Sequence, residues 1–177
     1  QVGARRRLLR SVAALPWLSA MGPGAAWAAR PARIVSLGGA LTEVVYLLGA
    51  QGQLVGTDTT SLFPEAALKT AKVGYMRQLS AEGLLSLQPD AVVGTTEAGP
   101  PVVLDQVRSA GVRVELVQAD HTWDEVRRKV ATVGRVAGRE REAQALQADL
   151  DAQWAAVQKV VAATTRRPRA IFILSHG

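Results

Sequence analysis

The sequence predicts an α/β fold built on parallel strands. Short apolar runs alternate with segments whose apolar residues recur at helical spacing, beginning at Arg33 and continuing past Val117. The intervening helices are about ten residues long, the length of a crossover, and parallel strands need crossovers because a tight hairpin cannot join them. Composition agrees: 48% of the residues are hydrophobic but only 5% are aromatic, which suits an interior packed with Ala, Val and Leu between layers.

Arg33-Ile34-Val35-Ser36-Leu37 reads as the first strand, Gly38-Gly39 as a turn, and Leu41 to Gly49 as a helix. Leu54-Val55-Gly56 is a second strand and Thr57 to Pro64 a polar loop. The stretch Val73-Gly74-Tyr75-Met76-Arg77-Gln78-Leu79-Ser80 is a loop that leads into a short helix ending near Leu87. Ala91 to Gly94 is the next strand, Pro101 to Ala110 a helix, and Val112 to Val117 a strand. From Trp123 the pattern is continuously helical. Val126, Val130, Val133 and Val136 mark one helix up to Gly138, and a second runs from about Arg139 to Thr165 through Ala145, Leu146, Leu150, Trp154, Val157 and Val161. At 1.5 Å per residue this last helix is about 37 Å long. That exceeds a crossover's need, so its expected task is to carry the chain to a second lobe. Pro168 closes it, and Arg169 to Leu174 is expected to be the first strand of that lobe, the rest of which this chain lacks. The expected domains are therefore an export signal at 1–28, an N-terminal α/β lobe at 29–138, an interlobe helix at 139–167 and the start of a C-terminal lobe at 168–177. Both ends, at Gln1 and Gly177, read as cuts within a larger protein.

Residues 1–28 carry Arg5, Arg6, Arg7 and Arg10 ahead of an apolar core and close on Ala26-Trp27-Ala28, the order of a cleavable signal. The core, broken by Pro16 and Pro23, is too short to span a bilayer stably. The route is Sec or twin-arginine. Removing those four arginines takes the formal charge from +6 to +2 and leaves 149 of 177 residues, enough for one domain with a core. The remaining basic residues are scattered, which argues against a nucleic-acid partner. There are no cysteines, so thiolate metal sites, disulfides and cysteine nucleophiles are excluded. The glycines at 38 and 39 lack the G-x-G-x-x-G spacing of a dinucleotide site, and neither G-x-S-x-G nor a histidine cluster occurs. An enzyme is not expected.

The chemically distinctive loop holds Tyr75 and Arg77. A phenol oxygen beside a guanidinium can bind a ferric ion or a large planar ligand; by itself the bland reading, a packed ring and a solvated arginine, is the commoner one. Gly38-Gly39 and Gly99-Pro100 follow strands, at the carboxyl edge where open α/β sheets place ligands. Such positions let a flat molecule approach the backbone, and they are equally ordinary turn chemistry. His121 reads as a loop or helix-cap residue, and Thr42-Glu43 as a structural helix start.

On Ser36 to Glu43, Gly74 to Leu87, Glu97 to Pro100 and Phe172 to Ser175, the chain resembles the substrate-binding proteins of bacterial ABC importers, in the class whose two Rossmann-like lobes share one rigid helix. The resemblance covers Arg33 to Gly177. Gly74-Tyr75-x-Arg77-x-Leu79-Ser80-x-Glu82-Gly83 is similar in particular to the haem-binding members. The resemblance implies a periplasmic receptor for ferric haem (haem b), with Tyr75 as iron ligand. Tyrosinate is a hard anionic donor suited to Fe(III). Arg77 would serve the phenolate or a haem propionate. Gly38, Gly39, Gly99, Pro100 and His176 would border the pocket. The implied partners are an inner-membrane permease with its ATPase subunits, docked through Glu82, and an outer-membrane haem receptor upstream. As a first-turn acid, Glu82 also suits the helix dipole. The alternative within the same class is a receptor for a corrinoid or a ferric siderophore.

Overall fold

Residues 31–165 and 169–173 are described by a computed structural model. The expected signal at 1–28 lies outside them, as does His176. Four strands form one sheet: β1 Ile34–Ser36, β2 Leu54–Thr57, β3 Ala91–Thr95 and β4 Arg113–Val117. All pairings are parallel, in the order β2-β1-β3-β4. The chain therefore starts in the middle of the sheet, moves to one edge, and returns across β1 to build the other side. The winding reverses between β1 and β3.

Side-chain alternation assigns each strand residue to a layer. Ile34 and Val93 join one core cluster with Leu41, Val44, Val45, Val130, Val133 and Val136. Val35 and Val92 join the other, with Leu79, Leu84, Leu104 and Val107. The first layer is helices α1 (Gly39–Leu47) and α4 (Trp123–Ala137) with the beginning of α5 (Glu140–Ala163); the second is α2 (Ala81–Ser86) and α3 (Pro101–Ser109). The α/β reading from sequence thus holds, with every strand and helix of the lobe within a few residues of its expected bounds. The first helix begins earlier than expected, at Gly39, because Gly38 at φ +104° supplies the turn as its N-cap.

The helix ends follow from local chemistry. Thr122 caps α4 by accepting from the Glu125 N–H, Asp124 and Glu125 occupy its positive first turn, and Gly138 closes it in the left-handed region at φ +65°. Ser80 caps α2 by accepting from the Gly83 N–H, with Glu82 in the first turn. Pro101 opens α3 where a missing N–H costs nothing.

Gly134 sets how α5 lies on α4. A Cβ built there would stand 2.5 Å from the Ala143 Cβ, so the two helices meet with no side chain between them. Beyond that contact Trp123 and Trp154 stack with ring centroids 4.8 Å apart and planes 6° apart. The Trp123 indole N–H donates to Asp151 at 2.6 Å, and Arg127 pairs with the same carboxylate at 3.1 Å. That network, with the Trp123 hydrogen bond first, holds the Asp151 carboxyl below its ordinary range. From Ala152 onward every residue of α5 is exposed. Ile171, Phe172 and Ile173 are also exposed and form no strand. An apolar run becomes a strand only against a hydrogen-bonded neighbour, and residues 169–173 have none among the described residues.

Candidate functional site: a cleft at the carboxyl edge of the sheet

Segments following all four strands converge over the point where the winding reverses, and between them lies a cleft of about 190 Å³. After β1 come Gly38, Gly39 and Ala40; after β2, Thr60; at the end of β3, Thr95 and Glu97; after β4, His121, with Glu125 and Lys129 from α4. Leu41 of α1 and Met76, next to Tyr75, complete the lining.

One wall is polar and fixed. Glu125 is buried, and its carboxylate accepts from the backbone N–H of Asp120 at 2.8 Å and of His121 at 2.6 Å, and pairs with Lys129 at 2.6 Å. The Lys129 hydrogen bond, helped by those two amides, keeps the carboxyl below its usual range against the opposing effect of burial. Asp120 is likewise lowered, first by the Thr122 hydroxyl and then by Arg128. His121 sits at φ +56°, a conformation the two hydrogen bonds to Glu125 help to hold. The opposite wall is glycine. A Cβ on Gly39 would approach the Thr60 carbonyl oxygen to 3.1 Å, a tight contact that would press this turn a few tenths of an ångström off the next.

The Tyr75 loop borders the cleft and is tied down on both sides. Thr59 N–H donates to Gly74 O at 2.9 Å, Gly99 N–H to Met76 O at 2.9 Å, and Leu79 N–H to Gly99 O at 3.0 Å. Met76 and Leu79 are buried beneath it, while Tyr75 keeps 41% of its surface exposed. An aromatic left half in solvent on a pinned loop is available to a ligand. Arg77 does not approach the phenol as a free cation; it forms an ion pair with Glu97 at 2.7 Å across the two loops.

The structure brings Gly38 and Gly39 into the cleft and Tyr75 and Arg77 to its border. Gly99 is buried in the clasp with the tyrosine loop and Pro100 precedes α3, so neither lines the cleft. Glu82 stands exposed in the first turn of α2, in the second layer. His121 is the loop residue expected from sequence, and in addition a lining residue. Glu125 and Lys129 were not singled out in the sequence. Their signal was the spacing 121, 125, 129, which puts three polar groups along one side of a helix entrance.

Comparison with known proteins decides the family, because the model of the periplasmic binding protein family matches residues 34–177. The chain belongs to that family. Among solved structures, this periplasmic binding protein is similar to the periplasmic haem-binding protein BhuT in complex with two haems (42% identity, TM-score 0.71, covering 75% of this chain and 51% of that one). It is similar also to a periplasmic haem-binding protein from Pseudomonas aeruginosa (44%, TM-score 0.65, 73% and 49%). Among curated relatives it is 30% identical over 150 residues to a cobalamin-binding protein of Halobacterium salinarum (strain ATCC 29341 / DSM 671 / R1), covering 83% of this chain and 40% of that protein. The chain spans about half the length of the solved structures it matches and less of its curated relatives.

Proposed function

We propose that this periplasmic binding protein is the ligand-gripping portion of an exported receptor that takes up ferric haem and hands it to an ABC importer, with the Tyr75 oxygen as a ligand to iron. The observation that carries the reading is Tyr75 itself, half in solvent on a loop pinned at Gly74, Met76 and Leu79, beside a cleft at the switch point of the sheet. The similarity to solved haem-binding proteins supports it.

Haem supplies a Lewis-acidic ferric ion and two carboxylates. The Tyr75 phenol would give up its proton on binding iron, since the cation favours the anionic oxygen. Arg77 would exchange Glu97 for a propionate, a carboxylate for a carboxylate, which its forked donors accept equally. Apolar faces of the macrocycle would gain about 25 cal/mol for each Å² they bury. The proposed setting is the periplasm, with cargo arriving through an outer-membrane haem receptor. Glu82, exposed on α2, is the proposed contact to the permease, which works with its ATPase subunits.

Hemin titrated into the full chain, with the Soret and charge-transfer bands recorded, tests this directly. Tyr75→Phe is expected to abolish the tyrosinate charge-transfer band and weaken binding while leaving the melting temperature unchanged. Unaltered bands and affinity in the variant would refute iron ligation by Tyr75. The cobalamin-binding relative motivates a parallel titration with cyanocobalamin; saturable binding there without hemin binding would move the reading to a corrinoid receptor.

A further inference from the structure

Asp58 has no exposed surface, yet it bears a carboxylate and sits immediately after β2, behind the glycine wall of the cleft. Four donors converge on that carboxylate. Gly38 N–H at 2.9 Å and the Ser61 hydroxyl at 2.7 Å meet Oδ1; Thr60 N–H at 3.1 Å and the Thr60 hydroxyl at 2.6 Å meet Oδ2. Its own N–H donates to Ser36 O at the end of β1. The Ser61 hydroxyl continues to Thr42, and Thr42 to Ser36, each within 2.9 Å. On the other side Lys72 crosses the same turn, donating to Thr57 Oγ1 at 2.9 Å, Ser61 O at 3.0 Å, Ala67 O at 3.1 Å and, more weakly, Asp58 O at 3.4 Å.

Two segments of the candidate site hang on this turn from opposite directions. Gly38, at φ +104°, is held through its N–H on Asp58 Oδ1, and Gly39 lies directly against Thr60. Gly74, at φ +96°, is held by the N–H of Thr59, the residue after Asp58, and Tyr75 follows it. We infer that Asp58 is a positioning residue for the cleft: its buried carboxylate fixes the Gly38–Gly39 wall and the Tyr75 loop at one distance from each other, so that ligand affinity depends on an acid the ligand never touches. The consequence for haem rests on the function proposed above; the coupling of the two loops does not.

The charge is necessary to this role. A carboxylate accepts from four donors at once, whereas an amide in its place turns an NH₂ toward two of them. Losing those hydrogen bonds in a buried site lets the Asp58–Ser61 turn relax and the two loops move apart.

The test uses the full chain, labelled with ¹⁵N, in three variants: Asp58→Asn, the milder Ser61→Ala, and the core variant Val133→Ala as a control for lost stability. Amide spectra are recorded without ligand, then hemin is titrated well below all three melting temperatures. Asp58→Asn is expected to shift the amide resonances of Gly38 and Gly39 together with those of Gly74 and Tyr75, to weaken hemin binding about tenfold, the equivalent of one charge-assisted hydrogen bond, and to alter the iron charge-transfer band. Ser61→Ala should move the same four amides less, and Val133→Ala should move none of them. Unshifted Gly74 and Tyr75 amides in Asp58→Asn, or equal shifts in Val133→Ala, would overturn the inference whether or not hemin binds. If the wild type binds no hemin while the four amides still move as a set, the positioning role stands and the haem reading falls. Should Asp58→Asn fail to fold, Ser61→Ala carries the same decision.

Discussion

Replacing Gly134 by Ala puts a single methyl where α4 and α5 touch, and the sign of its effect separates two accounts of that contact. In an open helix the change would stabilise by about 1 kcal/mol, because glycine is the poorer helix former. Here the added Cβ would lie 2.5 Å from the Ala143 Cβ and 3.3 Å from the Arg139 carbonyl oxygen. Real carbon atoms approach to about 3.5 Å or more, so α5 must move outward by about 1 Å. Ala143 is 5% exposed and belongs to the core formed with Val130, Val133 and Val136, so the movement opens that core. Overpacking of this kind costs about 1–3 kcal/mol. Set against the propensity gain, a net loss of about 1 kcal/mol remains, or about 2–4 °C in a domain of this size. Thermal unfolding followed by circular dichroism measures it, and Ala143→Gly in the same chain supplies the cycle. The double variant should recover part of the loss, with a coupling energy of about 2 kcal/mol, since the second change removes the atom the first one strikes. A rise in melting temperature for Gly134→Ala, with no coupling to Ala143, would refute close approach of the helices.

Three further outcomes are expected. Glu125 has its folded-state carboxyl lowered by Lys129 and two backbone amides; its contribution to stability is therefore complete above the ordinary value of 4.5 and is lost as pH falls through the lowered one. The melting temperature of Glu125→Gln should accordingly be lower than wild type at neutral pH and fall less steeply in acid, and parallel curves for the two proteins would contradict this. Trp154→Ala removes the stack on Trp123 and should cost about 1 kcal/mol beyond the area it uncovers, together with the near-ultraviolet dichroism of the pair; an unchanged near-ultraviolet spectrum would place the two rings apart. Because the Arg77–Glu97 pair is half exposed, Glu97→Gln should change stability by less than about 0.5 kcal/mol yet strengthen hemin binding by releasing the guanidinium. A loss of affinity in a titration at several salt concentrations would show that Glu97 is not a competitor for Arg77.

The lobe was legible in the sequence because its strands are short apolar runs bounded by Gly, Pro and polar turns, and because Val130, Val133 and Val136 can face only one way on a helix. The run Arg169 to Leu174 has the composition of a strand, and which neighbour it pairs with is a tertiary fact that composition does not contain. The same divide runs through the candidate site. Gly38-Gly39 and Gly74-Tyr75 announce their turns locally. The partner of Arg77 lies twenty residues away on another loop, and Glu125 meets the cleft only because β4 delivers His121 beside the ends of β1 and β3. Asp58 reads as one more polar residue in a polar loop. What sets it apart is complete burial among four donors, which no spacing rule encodes.

Helix α5 is packed along its first half and exposed along its second, with the tryptophan pair and the Asp151 network at the boundary. Residues 155–163 extend about 13 Å past Trp154 at 1.5 Å per residue, so a tilt of only 5° at the root displaces the tip by about 1.2 Å. The direction in which α5 leaves the lobe is set where Trp123, Asp151 and Trp154 meet, so geometry at those three side chains is carried, lengthened, to the end of the helix.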